Sequence, residues 1–269
     1  MAALDYRSQA RAPLTRSSGL SAQPRRVRLR PVYDATEPST ASAGAPNIGA
    51  VPDPAALAAY EDQWSACPRC RLSQTRTQVV FGAGNPAAEL MFVGEAPGFH
   101  EDRQGIPFVG QAGKLLESLL GEIGLARSDV YIANVLKCRP PGNRDPAPDE
   151  IEACELHLFR QIELVEPTVV ATLGNFATKL LSGKPHGITR VHGQEQQTTL
   201  GGRRVCLLPL YHPAAALYTP RMLQVLREDF ARIPALLARR ESPAPARPAP
   251  LAPLAGVGAA EPAVQLGLF

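Results

Sequence analysis

The chain has 269 residues, 45% of them hydrophobic, and a formal net charge of +3 at pH 7. That length supplies ample core for independent stability. No apolar run approaches the ~20 residues of a bilayer-spanning helix, and the amino terminus lacks the apolar region of a signal peptide. A membrane protein and a secreted disulfide scaffold are therefore not expected; a cytosolic chain with reduced cysteines is.

Residues 1–52 hold almost no apolar periodicity. Arg7, Arg11, Arg16, Arg25, Arg26, Arg28 and Arg30 face only Asp5, Asp34 and Glu37, so the first fifty residues carry net +4 and the remainder about −1. This Arg-rich stretch reads as a disordered tail, either simply solvated or serving as a sequence-independent electrostatic tether through "RRVRLRP". A folded domain is expected over 53–240. Residues 241–269, rich in Ala, Pro and Gly, read as a second disordered tail.

"DPAALAAYEDQWSAC" predicts a first helix with Asp53 as N-cap and Pro54 at its first position. Next come "CPRCRL", a turn "FGAGNP", a strand "LMFVG", and a helix from near Gly113 with Leu115, Leu116, Leu119, Leu120 and Ile123 at helical spacing. The strand "VYIANVLK" precedes a proline-rich loop, "CRPPGNRDPAPDE", and a helix from about Asp149. The strand "TVVATLG" is followed by the helix "NFATKLLSG", a hairpin-like passage from "ITRVHGQ" to "RRVCLLPLYHP", and a last helix "RMLQVLREDFARIPALLARR". Continuously apolar strands alternating with helices argue for a parallel sheet covered on both faces. The fold class is α/β, a three-layer α/β/α sandwich with a central four-stranded parallel sheet. In such sheets the strand-to-helix loops lie at the carboxyl edge, where ligands bind, so "VGEAPGFHEDRQGIPFVGQAGKLL" should wall a site.

Cys67 and Cys70 form C-x2-C, Cys138 ends a strand, and Cys154 sits in a helix on one face with Ile151, Leu158 and Ile162. Four thiols in two pairs suffice for a tetrathiolate site, and spacing alone leaves zinc and iron–sulfur both open. Cys206, inside a buried strand pattern, reads as a core residue.

Together, "GEAPGFHEDRQGIPFVGQAGKLL", "NVLKCRPPGNRDPAPDE", "YHPAA" and the cysteine spacing resemble the family 4 uracil-DNA glycosylases, the iron–sulfur branch of that superfamily. The resemblance covers about 60–239. It implies hydrolysis of the N-glycosidic bond of uracil in DNA, initiating base excision repair and leaving an abasic site. It also implies a [4Fe–4S] cluster on Cys67, Cys70, Cys138 and Cys154. No residue matches the Lys nucleophile of a bifunctional lyase, although Lys114 and Lys137 stay open by inspection.

Bond cleavage develops negative charge on the leaving uracil and positive charge on the sugar, with the nucleotide flipped out of the stack. On the resemblance, Phe108 is the stacking platform, and Asn134 accepts from uracil N3–H and donates to O4, a pattern cytosine reverses. His212 donates to the developing oxyanion at O2. The backbone around Glu95, Ala96 and Pro97 supplies further contacts, although Pro97 has no N–H to give. The water-positioning or sugar-stabilising carboxylate is Glu95 or Glu101, with Asp102 third, and Glu95 also stands as the group beside uracil C5 that rejects thymine. His100, His157, His186 and His192 lack such context and read as surface residues. DNA contacts are expected from Arg139, Asn143 and Arg144 and from "ITRVHG", with Leu217 either a wedge or a packing residue.

The terminal "QLGLF" resembles the bacterial sliding-clamp binding pentapeptide, with Gln265, Leu266, Leu268 and Phe269 as its matching positions. That implies recruitment to the clamp, in a monomer associated with a bacterial nucleoid. Two rival readings remain. A superfamily relative that binds uracil-DNA, or captures it covalently, without turnover would carry Gln in place of Ala96 and a basic loop with a reactive His before the last cysteine, neither of which is present. A non-catalytic cluster-bearing or zinc-bearing scaffold leaves Asn134, Phe108 and His212 without a purpose.

Overall fold

A computed structural model describes residues 52–239. The expected tails and the Gln265 to Phe269 motif lie outside the described residues. In chain order the elements are α1 (Pro54–Trp64), β1 (Ala83–Gly84), β2 (Leu90–Gly94), α2 (Phe99–Gln104), α3 (Gln111–Glu122), β3 (Tyr131–Asn134), α4 (Pro148–Val165) and β4 (Val169–Leu173). They continue with α5 (Asn175–Ser182), α6 (Ile188–Val191), β5 (Gln196–Leu200), β6 (Arg203–Leu210), α7 (Pro213–Ala216), α8 (Pro220–Phe230) and α9 (Ile233–Ala238).

The sheet order is β1-β3-β2-β4-β6-β5. The four expected parallel strands, β3, β2, β4 and β6, form its centre. Antiparallel β1 and β5 extend it at either edge to six strands. Every residue of β2, β3 and β4 is buried, and alternate side chains feed two cores. Met91 and Val93 pack on one face with Leu57 of α1, Leu158 and Ile162 of α4 and Leu181 of α5. Leu90 and Phe92 pack on the other with Leu116 and Leu120 of α3 and Leu226 and Phe230 of α8. This period-two division across a sheet covered on both faces makes the three layers.

The chain leaves β2 toward β3 on one side and leaves β4 toward β6 on the other. The carboxyl ends of the neighbouring strands β2 and β4 therefore flank a topological switch point, the place where an open α/β sheet leaves a crevice.

Three local expectations differ from the structure. The hairpin forms between β5 and β6 around Gly201 and Gly202, whose φ values of 53° and 74° suit a tight two-residue turn; "ITRV" is instead the helical turn α6. The long last helix is two, α8 and α9, with Pro234 in the first turn of α9, where its missing N–H costs no intrahelical bond. A short helix, α2, fills part of the acidic loop after β2. The α1 cap is as expected: Asp53 Oδ1 accepts from Ala55 N at 3.0 Å and Ala56 N at 3.1 Å.

Candidate active site and cysteine cavity

Four parallel strand ends converge at the switch point. Gly94 ends β2, Asn134 ends β3, Gly174 follows β4 and His212 follows β6. A Cβ on Gly94 would collide with Asn134 Oδ1 and come within 2.8 Å of the Phe108 ring, so only glycine allows the amide and the ring to meet over this strand end. Gly174 has φ 95°, and a Cβ there would press on His212 at 3.2 Å.

Asn134 is 2% exposed. Its Oδ1 is the single buried side-chain polar atom without a hydrogen-bond partner among the described residues. Such an orphan costs about 1–3 kcal/mol when nothing donates to it. A donor on a bound ligand would remove that penalty.

Phe108 is buried and has φ 54°, a left-handed conformation rare for a residue of its size. Three contacts hold it there. Arg127, in a single 3-10 turn at Arg127–Asp129, donates Nη1 to Phe108 O at 3.0 Å and Nη2 to Pro107 O. Glu101 Oε1 accepts from Val109 N at 3.0 Å and Gly110 N at 2.9 Å. Gly113 in the first turn of α3 has no Cβ, which would overlap Phe108 O.

The His212 ring lies nearly parallel to Phe108, with centroids 5.5 Å apart and 27° between planes. Its Nδ1 accepts from Ala214 N at 3.1 Å, so the neutral ring carries its proton on Nε2. Burial pushes its pKa down to about 4, opposed by the nearby Glu101 charge. At neutral pH His212 is thus an uncharged N–H donor.

Glu95 is half-buried just past β2. Burial, reinforced by the Asp145 charge, raises its pKa above the usual carboxylate value. Ala96 packs against the core beneath and Pro97 is buried. Asp102 accepts from Thr77 N at 2.9 Å and Thr77 Oγ1 at 2.6 Å, so it ties α2 to the preceding segment and is committed to that task.

Behind the pocket, Cys67, Cys70, Cys138 and Cys154 line one cavity together with Trp64 and His157. Among the described residues no three or more His, Cys, Asp or Glu groups converge closely enough to hold a single metal ion. The four thiols that this lining offers are a donor set that suits a tetrathiolate metal site or an iron–sulfur group. Burial pushes the Cys138 pKa up, and that of Cys154 up to about 12. Donors already surround the sulfurs: Arg76 Nη1 lies 3.4 Å from Cys138 Sγ and the Lys137 amide 3.2 Å from Cys154 Sγ. Cys206 is only partly buried and packs on the opposite core.

His157 is buried rather than on the surface. Its Nδ1 meets Tyr60 Oη at 2.9 Å and its Nε2 meets Cys67 Sγ at 3.4 Å. The tyrosine pKa is raised to about 12 by burial and the imidazole is lowered to about 4. The phenol therefore donates to Nδ1, and Nε2–H points at the sulfur. His157 lies three residues after Cys154 on α4, a helical neighbour whose role the sequence hid. His192 is also more than a surface residue: its Nδ1 lies 2.8 Å from Asp229 Oδ2 and its ring packs at a 38° tilt against Tyr211.

Comparison with known proteins agrees with this geometry. The sequence model of the Uracil DNA glycosylase superfamily matches residues 81–233. A "Type-4 uracil-DNA glycosylase" of Sulfurisphaera tokodaii is 47% identical over 182 residues, covering 66% of this chain and 83% of that protein. Its namesake in Archaeoglobus fulgidus is 46% identical, covering 65% and 90%. That of Thermotoga maritima is 44% identical, covering 62% and 86%. The chain belongs to the uracil DNA glycosylase superfamily.

Proposed function

We propose that the chain is a uracil-DNA glycosylase that hydrolyses the N-glycosidic bond of uracil in DNA, leaving an abasic site and so initiating base excision repair. The observation that carries this reading is the orphaned Asn134 Oδ1, aimed over Gly94 beside the Phe108 ring. Uracil N3–H is the donor that atom lacks. Cytosine, which has an acceptor at N3, would leave it orphaned, and selectivity of this kind is large because the penalty falls on a buried group.

In this reading a flipped uridine stacks on Phe108, an interaction worth on the order of 1–3 kcal/mol. His212 Nε2–H donates to uracil O2, where charge develops as the bond breaks. A neutral donor suits this role, since it stabilises the oxyanion without protonating it in the ground state. Glu95 is the carboxylate that positions water and faces the cationic sugar, and its side chain beside uracil C5 opposes thymine. Glu101, whose Oε1 is engaged by two amides, acts as a positioning residue for the Phe108 loop. Among the described residues Lys137 Nζ is buried against Asn134 O and Gln161 Oε1, which disfavours it as a lyase nucleophile.

Cys67, Cys70, Cys138 and Cys154 would hold a [4Fe–4S] cluster. When bound it would supply a rigid crosslink between the 67–70 turn, the end of the β3 segment and α4. Leu217, half-buried, fits packing better than wedging; its neighbour Tyr218 is 89% exposed. Arg144 is engaged with Glu150 at 2.5 Å, leaving Arg139 as the freer DNA contact of the proline-rich loop. The terminal Gln265, Leu266, Leu268 and Phe269 would dock on a sliding clamp. Loss of clamp pulldown on deleting 265–269 is the expected result, and retention refutes that assignment.

The test is cleavage of a uracil-containing oligonucleotide, resolved after alkali, with Asn134→Ala and His212→Ala alongside. Alkali-labile breaks at uracil, much reduced in both variants, are expected. A denaturant-resistant shifted band without breaks would overturn turnover in favour of covalent capture; neither signal would leave only a scaffold.

A further inference from the structure

Three large hydrophobic side chains are exposed among the described residues: Phe99 at 47%, Ile106 at 43% and Tyr218 at 89%. All three lie on connections leaving the carboxyl ends of β2 or β6, the edge that carries the pocket. Scattered exposed apolar residues need no explanation, but a set confined to one edge marks an interaction surface.

Phe99 opens α2, five residues past Gly94, and its surroundings identify the partner. Arg103 Cζ lies 5.6 Å from its ring centroid and Arg139 Cζ 5.1 Å. Arg103 comes from the same helix. Arg139 comes from the loop after β3, and its Nε donates to Asn143 Oδ1 at 2.7 Å, which fixes its plane. Neither guanidinium appears in the ion pairs of the described residues, so both keep their charge for a ligand. Next to Phe99, the His100 ring reaches to 3.9 Å from where a Cβ of Gly110 would stand, so this group borders the Phe108 loop.

An exposed ring flanked by two uncompensated guanidiniums at the mouth of a nucleotide pocket has a specific complement. Unpaired bases stack on aromatic rings and on guanidinium planes, and the phosphates between them take the cationic N–H groups. We propose that Phe99, with Arg103 and Arg139, forms a second stacking platform that holds an unpaired base adjacent to the flipped uridine on the same strand. The proposal rests on the uracil-DNA reading above. It adds that the protein grips the strand outside the pocket by its bases as well as its phosphates, so the grip is strongest where those bases are free of a complementary strand.

The experiment measures affinity by fluorescence anisotropy with the full chain. The probes are labelled oligonucleotides bearing one 2′-fluoro-2′-deoxyuridine, which resists cleavage, as a single strand and as a duplex. Phe99→Ala should weaken single-strand binding about fivefold to a hundredfold and duplex binding less. Phe99→Trp should retain it. Arg139→Gln should lower the slope of log affinity against log salt by about 0.7 on the single strand. Because the ring is exposed, unchanged thermal melting should accompany these losses. Wild-type affinity in Phe99→Ala, with cleavage by the wild type intact, overturns the platform alone. Absence of uracil cleavage by the wild type removes the pocket reading, and the platform with it.

Discussion

Arg127 lies outside the pocket, yet replacing it with methionine should impair base removal. Phe108 sits at φ 54°, a conformation that costs an L-residue roughly 1–2 kcal/mol. Arg127 holds it by charge-assisted bonds to the carbonyls of Phe108 and Pro107, each worth about 1.5–3 kcal/mol. Methionine keeps the apolar stem and removes both bonds. Glu101 still grips Val109 and Gly110, so the loop remains attached but loses the restraint that outweighs its strain. Stacking worth on the order of 1–3 kcal/mol is then at risk, which corresponds to a fall in kcat/KM of about fivefold to a hundredfold. The assay is kcat/KM for uracil excision in wild type, Arg127→Met, Phe108→Ala and the double variant. If Arg127 acts through the ring, its removal adds little once Phe108 is already alanine. Additive losses, or an Arg127→Met enzyme within twofold of wild type, would refute the reasoning. Arg127→Lys, with one ammonium for two carbonyls, should fall in between.

Two further outcomes follow from carboxylates in unlike surroundings. If Glu95, its pKa raised by burial and by Asp145, acts ionised as proposed, kcat should decline on the acid side at a pH above the ordinary glutamate value; in Glu95→Gln the residual rate should lose that limb. Glu150, a fully buried side chain held by Arg144, Ala147 N and Arg71 with its pKa lowered from 4.5 to about 2, contributes stability above pH 4.5 that is lost as pH falls toward 2. Its partners are 57% and 41% exposed, which discounts the contribution to about 2 kcal/mol; denaturant melts of Glu150→Gln should show that deficit at pH 7 and little of it near pH 2.

The central strands were legible because "LMFVG" and "TVVATL" are apolar on both faces, the mark of a doubly covered parallel sheet. The edge strands were not. β1 is two residues long, and β5, "QQTTL", has exposed or half-exposed polar side chains at four of its five positions, so neither leaves an apolar pattern. Pro234 carried the break between α8 and α9 in plain sight, but the flanking leucines kept helical spacing across it. Phe108, Asn134, His212 and the four cysteines stood in recognisable motifs. Arg127, Arg76 and His157 did not, because each acts on a partner 19, 62 or 90 residues away. Glu101 drew attention as an acid beside the pocket; its amide partners eight and nine residues on have no signature in the sequence.

Val130 through Cys138 are all buried, a run that begins at the sheet and ends at the cysteine cavity. Asn134 and Cys138 stand on it four residues apart, with Lys137 Nζ bonded back to Asn134 O at 2.8 Å. The stretch from Asn134 to Cys138 is therefore a short buried lever with the amide proposed to read the base at one end and a sulfur at the other. On the proposed roles, a disturbance at Cys138 reaches Asn134 through three buried residues, so oxidation of that sulfur is expected to weaken discrimination between uracil and cytosine.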